Sequence, residues 1–378
     1  MNIAIIGGGK MGNEILNSLF DTSHNITIIC RSNMDELNIQ IEKKLSKMLK
    51  RKLISKDAYD MKKSSIKVSS NISDVQNSDI VIETITEDCT LKQILFDDLE
   101  KLVSENCILA TNTSSIPLTK IFENCIIKER CIGLHFFFPV MFSNFVEINL
   151  LNETSEDTIK FASNFIKADI NKEYIIFETK FNMFLNKVIS ILVSHAYYMS
   201  YTTNLSLSQI ENFIKERILN FGLFETVDAV GLEIIKQSLD NFNTKRYNEL
   251  FFEFNKPFSY ILSIENKLET NLMEQFENYI ISDKKVLYDI SIEDFEQSLY
   301  GLLFNEISYL MINSSISFAL ITDAISDILS FKEHISEKLS KLNYEKLNSM
   351  FKEFSSKSQF TLYENYDLSH VLTNMNLR

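Results

Sequence analysis

Half of the chain's eight glycines fall within its first twelve residues, as Gly7-Gly8-Gly9-Lys10-Met11-Gly12. This is G-x-G-x-x-G, directly after the apolar run Asn2–Ile6 and directly before a helical pattern, and it is suited to cradling a dinucleotide pyrophosphate. Gly7 permits the tight turn, Gly9 the close approach of phosphate, and Gly12 close helix–strand packing, while the helix N-terminus faces the negative charge. A carboxylate for the ribose diol is expected about 20 residues further on, at the tip of the second strand. That tip reads Ile29-Cys30-Arg31-Ser32. No carboxylate is offered there, and Arg31 with Ser32 suits a 2′-phosphate, so NAD and NADP both stay open.

A second constellation could move a proton. His135 follows the apolar run Cys131–Leu134, so its imidazole is expected to emerge at a carboxyl end of the sheet, where such folds bind ligands. A lone histidine among apolar residues is commonly a satisfied core residue. Glu147, twelve residues on, changes that reading, because a carboxylate beside an imidazole fixes its tautomer and raises its basicity, as a general base for an alcohol proton requires.

The elements that must position these groups follow from periodicity. Asn2–Ile6, a helix over Met11–Phe20 with Met11, Ile15, Leu16 and Leu19 on one face, and the strand Ile26–Cys30 form a βαβ opening. Further buried strands are expected at Ile66–Val68, Ile80–Glu83, Cys107–Ala110 and Cys131–Leu134, with helical stretches at Ile39–Leu53, Leu91–Val103 and Leu118–Asn124. The α/β rhythm ends near residue 178. From Phe181 onward long amphipathic patterns take over, starting with Phe184, Leu185, Val188, Ile189, Leu192 and Val193. The expected fold class is therefore α/β: an N-terminal Rossmann-like, doubly wound parallel sheet followed by an all-helical C-terminal part. At one common offset Ser194-His195 lies against Asn305-Glu306 and Ile210–Ile214 against Ile321–Ile325, which is compatible with an internal duplication.

Composition narrows the function classes. With 45% hydrophobic and 24% charged residues the chain is ordinarily globular, and its net charge of −13 disfavours a nucleic-acid partner. No run reads as a membrane span, and no leader precedes the first strand. Cys30, Cys89, Cys107, Cys125 and Cys131 lack CxxC spacing, so neither a disulfide framework nor a metal site is expected, and a reducing cytoplasm fits. One helix of this acidic protein is basic, with Lys43, Lys44, Lys47, Lys50, Arg51 and Lys52: either a solvated face or a landing site for a phosphate-rich ligand.

Over at least residues 1 to 232 the chain resembles the 3-hydroxyacyl-CoA dehydrogenase family. The resemblance is carried by Lys50–Ser55 with Ile80–Phe96 (IVIETITEDCTLKQILF), Leu109–Ser115 (LATNTSS), Gly133–Glu147 (GLHFFFPVMFSNFVE), Phe184-Leu185-Asn186-Lys187 and Asn220–Leu232 (NFGLFETVDAVGL). It implies hydride transfer between a 3-hydroxyacyl-CoA and NAD, with His135 as base and Glu147 as its orienting partner. It further implies that Ser114 hydrogen-bonds the substrate's 3-oxygen and that Asn186 holds the thioester side. Met11, Glu83, Glu87 and Asn112 join Gly7, Gly9, Gly12 and Arg31 as candidate cofactor contacts. Read from the residues alone, Ser114 and Asn112 belong to a loop before Pro117, where Ser115 is an equally good helix cap. The basic helix lies where family members meet coenzyme A phosphates.

The resemblance also implies domains at 1–178 (dinucleotide-binding), 179–282 (helical) and 283–378, a degenerate second copy of the helical domain. That copy would complete an interface otherwise buried by homodimerisation, and Gln297 stands in it where the offset maps Asn186. The chain departs from the family pattern at Phe138 for asparagine, Asn182 for glycine and Lys187 for arginine. A carrier-protein-bound 3-hydroxyacyl group or a hydroxy sugar acid is the alternative substrate. A non-catalytic nucleotide-binding or structural protein is the alternative class.

Overall fold

The computed structural model describes residues 1–181, 183–241, 248–263 and 272–358. It divides into two compact units, Met1–Met183 and Phe184–Arg378.

In the first unit eight strands form one sheet: β1 (Asn2–Ile6), β2 (Asn25–Ile29), β3 (Ile66–Ser69), β4 (Ile80–Glu83), β5 (Ile108–Thr111), β6 (Cys131–Phe136), β7 (Phe145–Leu150) and β8 (Glu173–Phe177). Their order is 3-2-1-4-5-6-7-8. Every neighbouring pair is parallel except β6 with β7. The helices are α1 (Lys10–Leu19), α2 (Met34–Lys50), α3 (Lys56–Ser65), α4 (Cys89–Leu102), α5 (Leu118–Ile121) and α6 (Glu156–Asn164). The expected doubly wound α/β class is the one found.

The central strands β1, β4, β5 and β6 form because their apolar runs are buried on both faces, as parallel sheets require. Ile3, Ile5, Ile28, Ile80, Ile82, Ile132 and Leu134 join Ile15, Leu16 and Leu19 of α1 in one core. α3, α4 and α6 begin where the sequence provides a cap: Ser55 accepts from the Ala58 amide, Asp88 from Leu91 and Ser155 from Thr158.

Three details differ from the sequence expectation. β7 and β8 extend the sheet past β6, and α3 is a separate helix following α2. α5 starts after Pro117 without a side-chain cap, and the Ser115 hydroxyl donates to Glu87 Oε1 at 3.2 Å.

The second unit is helical, opening with α7 (Phe184–Thr202). At the offset noted above, α7 falls on the helix Ile292–Asn313, and Ser206 falls on Ser317. Each of these serines caps the next helix through its hydroxyl. His195 of α7 is fully buried and pairs through Nε2 with Ser298 Oγ at 2.8 Å, and Leu219 bridges Phe331. Burial pushes the His195 imidazole down to about 3, so this ring is a neutral core residue. Asn182 lies outside the described residues, as do 359–378. Among the described residues no helix is long and apolar enough to cross a membrane, and none gather as a metal-binding cluster.

Candidate active site

The glycine loop joins β1 to α1. Gly7 adopts φ +125, a region L side chains rarely occupy, and its amide donates to the Ile29 carbonyl at 2.9 Å. A Cβ on Gly12 would sit 1.9 Å from the Gly7 carbonyl oxygen, so only glycine lets α1 approach the strand end this closely. Gly9 differs from both: nothing lies within 4 Å of where its Cβ would be. It is the N-cap of α1, with no side-chain cap and no acidic residue in the first turn. The helix start therefore presents uncapped amides to an open space, which is what a pyrophosphate needs. The residues fit a dinucleotide. Met11 is half-buried and packs on the core, and Arg31 is exposed just past β2.

These glycines separate packing from binding. Gly12→Ala is expected to destabilise the chain by about 1–3 kcal/mol through overpacking and to lose dinucleotide affinity. Gly9→Ala, with its ordinary φ of −78, should leave the melting temperature unchanged and lose affinity alone. Thermal melts beside NADH fluorescence titrations check both; equal melting losses would contradict the assignment.

His135 and Glu147 meet across the antiparallel join, as directly paired residues of β6 and β7. His135 Nδ1 lies 3.0 Å from Glu147 Oε2, with the imidazole 6% and the carboxylate 0% exposed. The edge of the ring meets Phe137 at 4.3 Å between centroids. A buried carboxylate at Nδ1 holds the proton there and leaves Nε2 as the acceptor. The loop between these strands is apolar and exposed at Phe138, Met141 and Phe142. Phe138 lies under the Lys10 ammonium, 3.6 Å from its ring centroid.

The loop after β5 is arranged by carboxylates. Asn112 Oδ1 accepts from the Phe136 amide at 2.9 Å and so ties this loop to the strand carrying His135. Glu87 Oε1 accepts from Thr113 Oγ1 at 2.6 Å and from the amides of Ser114 and Ser115 at 2.9 and 3.1 Å. The Ser114 hydroxyl lies 3.3 Å from the same oxygen. Glu83, fully buried at the end of β4, accepts from Thr111 Oγ1 and Lys92 Nζ, both at 2.6 Å, and from the Ile85 amide at 2.7 Å. Lys92 also reaches Glu87 at 3.3 Å. Burial pushes the Glu83 carboxyl up, while Lys92 and the other donors pull against it. Burial likewise opposes ionisation of Glu87, but Lys92, Thr113 and the Ser114 amide outweigh it and hold the carboxyl below its ordinary value.

Lys92 is the residue that sequence reasoning missed. It shares the buried face of α4 with Phe96 and Leu99, and a lysine at that apolar spacing was the available signal.

Gly7, Glu83, Asn112, Ser114 and His135 thus lie at or just beyond the carboxyl ends of neighbouring parallel strands, and Glu147 reaches His135 from β7. Asn186 belongs to the second unit, half-buried in the first turn of α7, where its carbonyl accepts from Ser190 Oγ at 2.9 Å. On and just after α2, Lys43, Lys47, Lys50, Arg51 and Lys52 are exposed, whereas Lys44 is engaged with Asn17 at 2.7 Å and lies over the Phe20 ring.

Residues 2–180 match the family described as 3-hydroxyacyl-CoA dehydrogenase, NAD binding domain. The chain is 28% identical over 251 residues to the mitochondrial hydroxyacyl-coenzyme A dehydrogenase of Rattus norvegicus, covering 64% of this chain and 80% of that protein. It is 36% identical over 160 residues to a glyoxysomal fatty acid beta-oxidation multifunctional protein of Brassica napus, covering 42% of this chain but only 22% of that relative's length. The solved 3-hydroxybutyryl-CoA dehydrogenase of Escherichia coli superposes with a TM-score of 0.74 over 100% of this chain and 98% of the other, at 14% identity. At that identity the likeness establishes the fold alone.

Proposed function

We propose that this chain, whose residues 2–180 match the family described as 3-hydroxyacyl-CoA dehydrogenase, NAD binding domain, interconverts a 3-hydroxyacyl-CoA and a 3-oxoacyl-CoA with NAD. The observation carrying the reading is the His135–Glu147 pair, 3.0 Å apart and buried, at the sheet edge that the glycine loop shares.

The nicotinamide supplies the hydride acceptor for oxidation and the donor for reduction. In the oxidative direction His135 Nε2 receives the proton of the substrate's 3-hydroxyl as hydride leaves C3; in reduction it returns that proton to the 3-oxygen. Glu147 holds the tautomer that makes this possible and stabilises the imidazolium that forms. Ser114 donates to the 3-oxygen, and Glu87 is a positioning group that fixes the Ser114 backbone. Asn186 is assigned to the thioester side. Glu83 is read as a buried support for Lys92, not as a cofactor contact.

The same reading takes residues 283–378 as a degenerate second helical copy, supported by the matched caps Ser206 and Ser317. A reducing cytoplasm, expected from the cysteine spacing, remains part of the proposal; names among the relatives include mitochondrial and glyoxysomal proteins.

The exposed lysines of α2 test the coenzyme A assignment. Reversing Lys43, Lys47 and Lys50 together to glutamate is expected to raise KM for acetoacetyl-CoA about tenfold at low salt, from modest contributions of each exposed charge. Turnover at saturation should hold. KM for the acetoacetyl thioester of N-acetylcysteamine, which lacks the phosphates, should not move. An unchanged KM for acetoacetyl-CoA would overturn the coenzyme A reading in favour of a carrier-bound acyl group or a sugar acid.

A further inference from the structure

The tip of β2, where a ribose carboxylate is expected, is filled from within. Cys30 is only 6% exposed, and a Cβ on Gly8 would lie 2.7 Å from Cys30 Cβ. This side chain packs beneath the glycine loop and offers no acceptor to a diol. Arg31 follows it but does not line the adjacent groove.

That groove is lined by Gly8, Gly9 and Lys10 on one side and by Asn33, Glu36 and Gln40 on the other. Asn33, at φ 66, turns the chain into α2. The opening turns of that helix then place Glu36 and Gln40 opposite the glycines, with buried Leu37 beside them. Gln40 Nε2 donates to Glu36 Oε1 at 3.4 Å, and among the described residues Oε2 has no hydrogen-bond partner.

We propose that Glu36 replaces the missing tip carboxylate: it receives the 2′- and 3′-hydroxyls of the adenine ribose and sets a preference for NAD over NADP. A ribose diol presents two O–H donors, which one carboxylate accepts together. A 2′-phosphate in the same position would set two anions against each other at short range, which disfavours binding. Lys10 is the cation lining the groove, and its ammonium lies against the Phe138 ring. The inference rests on the dinucleotide site of the proposed function and adds the residue that chooses the dinucleotide.

Equilibrium titrations of the full-length chain with NADH and NADPH, read by nicotinamide fluorescence, test it without turnover. Wild type is expected to bind NADH at least about tenfold more tightly than NADPH, the scale of a charge-assisted hydrogen bond. Glu36→Ala should weaken NADH about tenfold and leave NADPH unchanged or improved. Glu36→Arg should reverse the preference. Glu36 is exposed, so thermal melts of both variants should overlay wild type. Wild-type NADH affinity in Glu36→Ala, or equal affinities for the two nucleotides in wild type, would overturn the inference and leave the dehydrogenase reading standing. Failure of wild type to bind either nucleotide would overturn that reading, and the inference with it.

Discussion

His135→Ala is expected to reduce acetoacetyl-CoA about a thousandfold more slowly than wild type, the middle of the range for loss of a positioned acid–base group, and to bind NADH as wild type does. The split follows from position. His135 sits on β6 and touches Phe137 and Glu147, whereas the uncapped amides and the open face of Gly9 belong to the β1–α1 loop. Removing the imidazole leaves the pyrophosphate cradle intact. Glu147→Gln is the finer probe, because it keeps the shape and removes the charge. It should lower kcat about 10- to 100-fold, as loss of a tautomer-fixing partner does elsewhere, with little change in KM. A variant that lost affinity for NADH in parallel with kcat would place His135 in folding instead of proton transfer.

Lys92→Met is the largest expected stability effect. The ammonium is 2% exposed and pairs with Glu83 at 2.6 Å and with Glu87 at 3.3 Å. Deleting it leaves two carboxylates in an apolar interior, at a cost of about 3–5 kcal/mol for a broken buried pair. Urea unfolding measures this directly. Adding Glu83→Gln removes the more deeply buried of the two charges while its oxygen still accepts from the Ile85 amide and its NH2 group faces the Thr111 hydroxyl, so the double variant should recover more than half of the loss. Activity should fall in the single variant too, since Glu87 fixes Ser114 and Ser115. A Lys92→Met protein as stable as wild type would mean that the pair contributes nothing to holding this loop.

The sequence revealed most where a local constraint acts. The glycines announce their turn because a positive φ at Gly7 and the close contact at Gly12 admit almost no other residue. β1, β2, β4 and β6 announce themselves because both of their faces are buried. β7 was hidden because Glu147 and Asn149, both fully buried, interrupt its apolar pattern, although they are what makes it functional. α3 buries only Tyr59, which gives periodicity little to detect. The separation between His135 and Glu147 was visible, but that it spans an antiparallel join placing the two directly opposite was not. Glu83 and Glu87 were recognisable as carboxylates near a strand end. Their partner Lys92 was not recognised, since a lysine in a helix is ordinarily read as solvated. Tertiary pairing decided those roles, and tertiary pairing leaves no local signature.

In the proposed reaction His135, held by Glu147, moves the proton while NADH reduces a 3-oxoacyl thioester. Single-turnover mixing tests it most directly: protein loaded with substoichiometric NADH meets excess acetoacetyl-CoA, nicotinamide absorbance is followed, and the products are identified. Loss of NADH matched mole for mole by 3-hydroxybutyryl-CoA is expected in wild type, with near-complete suppression of that step in NADH-loaded His135→Ala. NADH left unoxidised by wild type, or oxidised equally fast by both proteins, would contradict it.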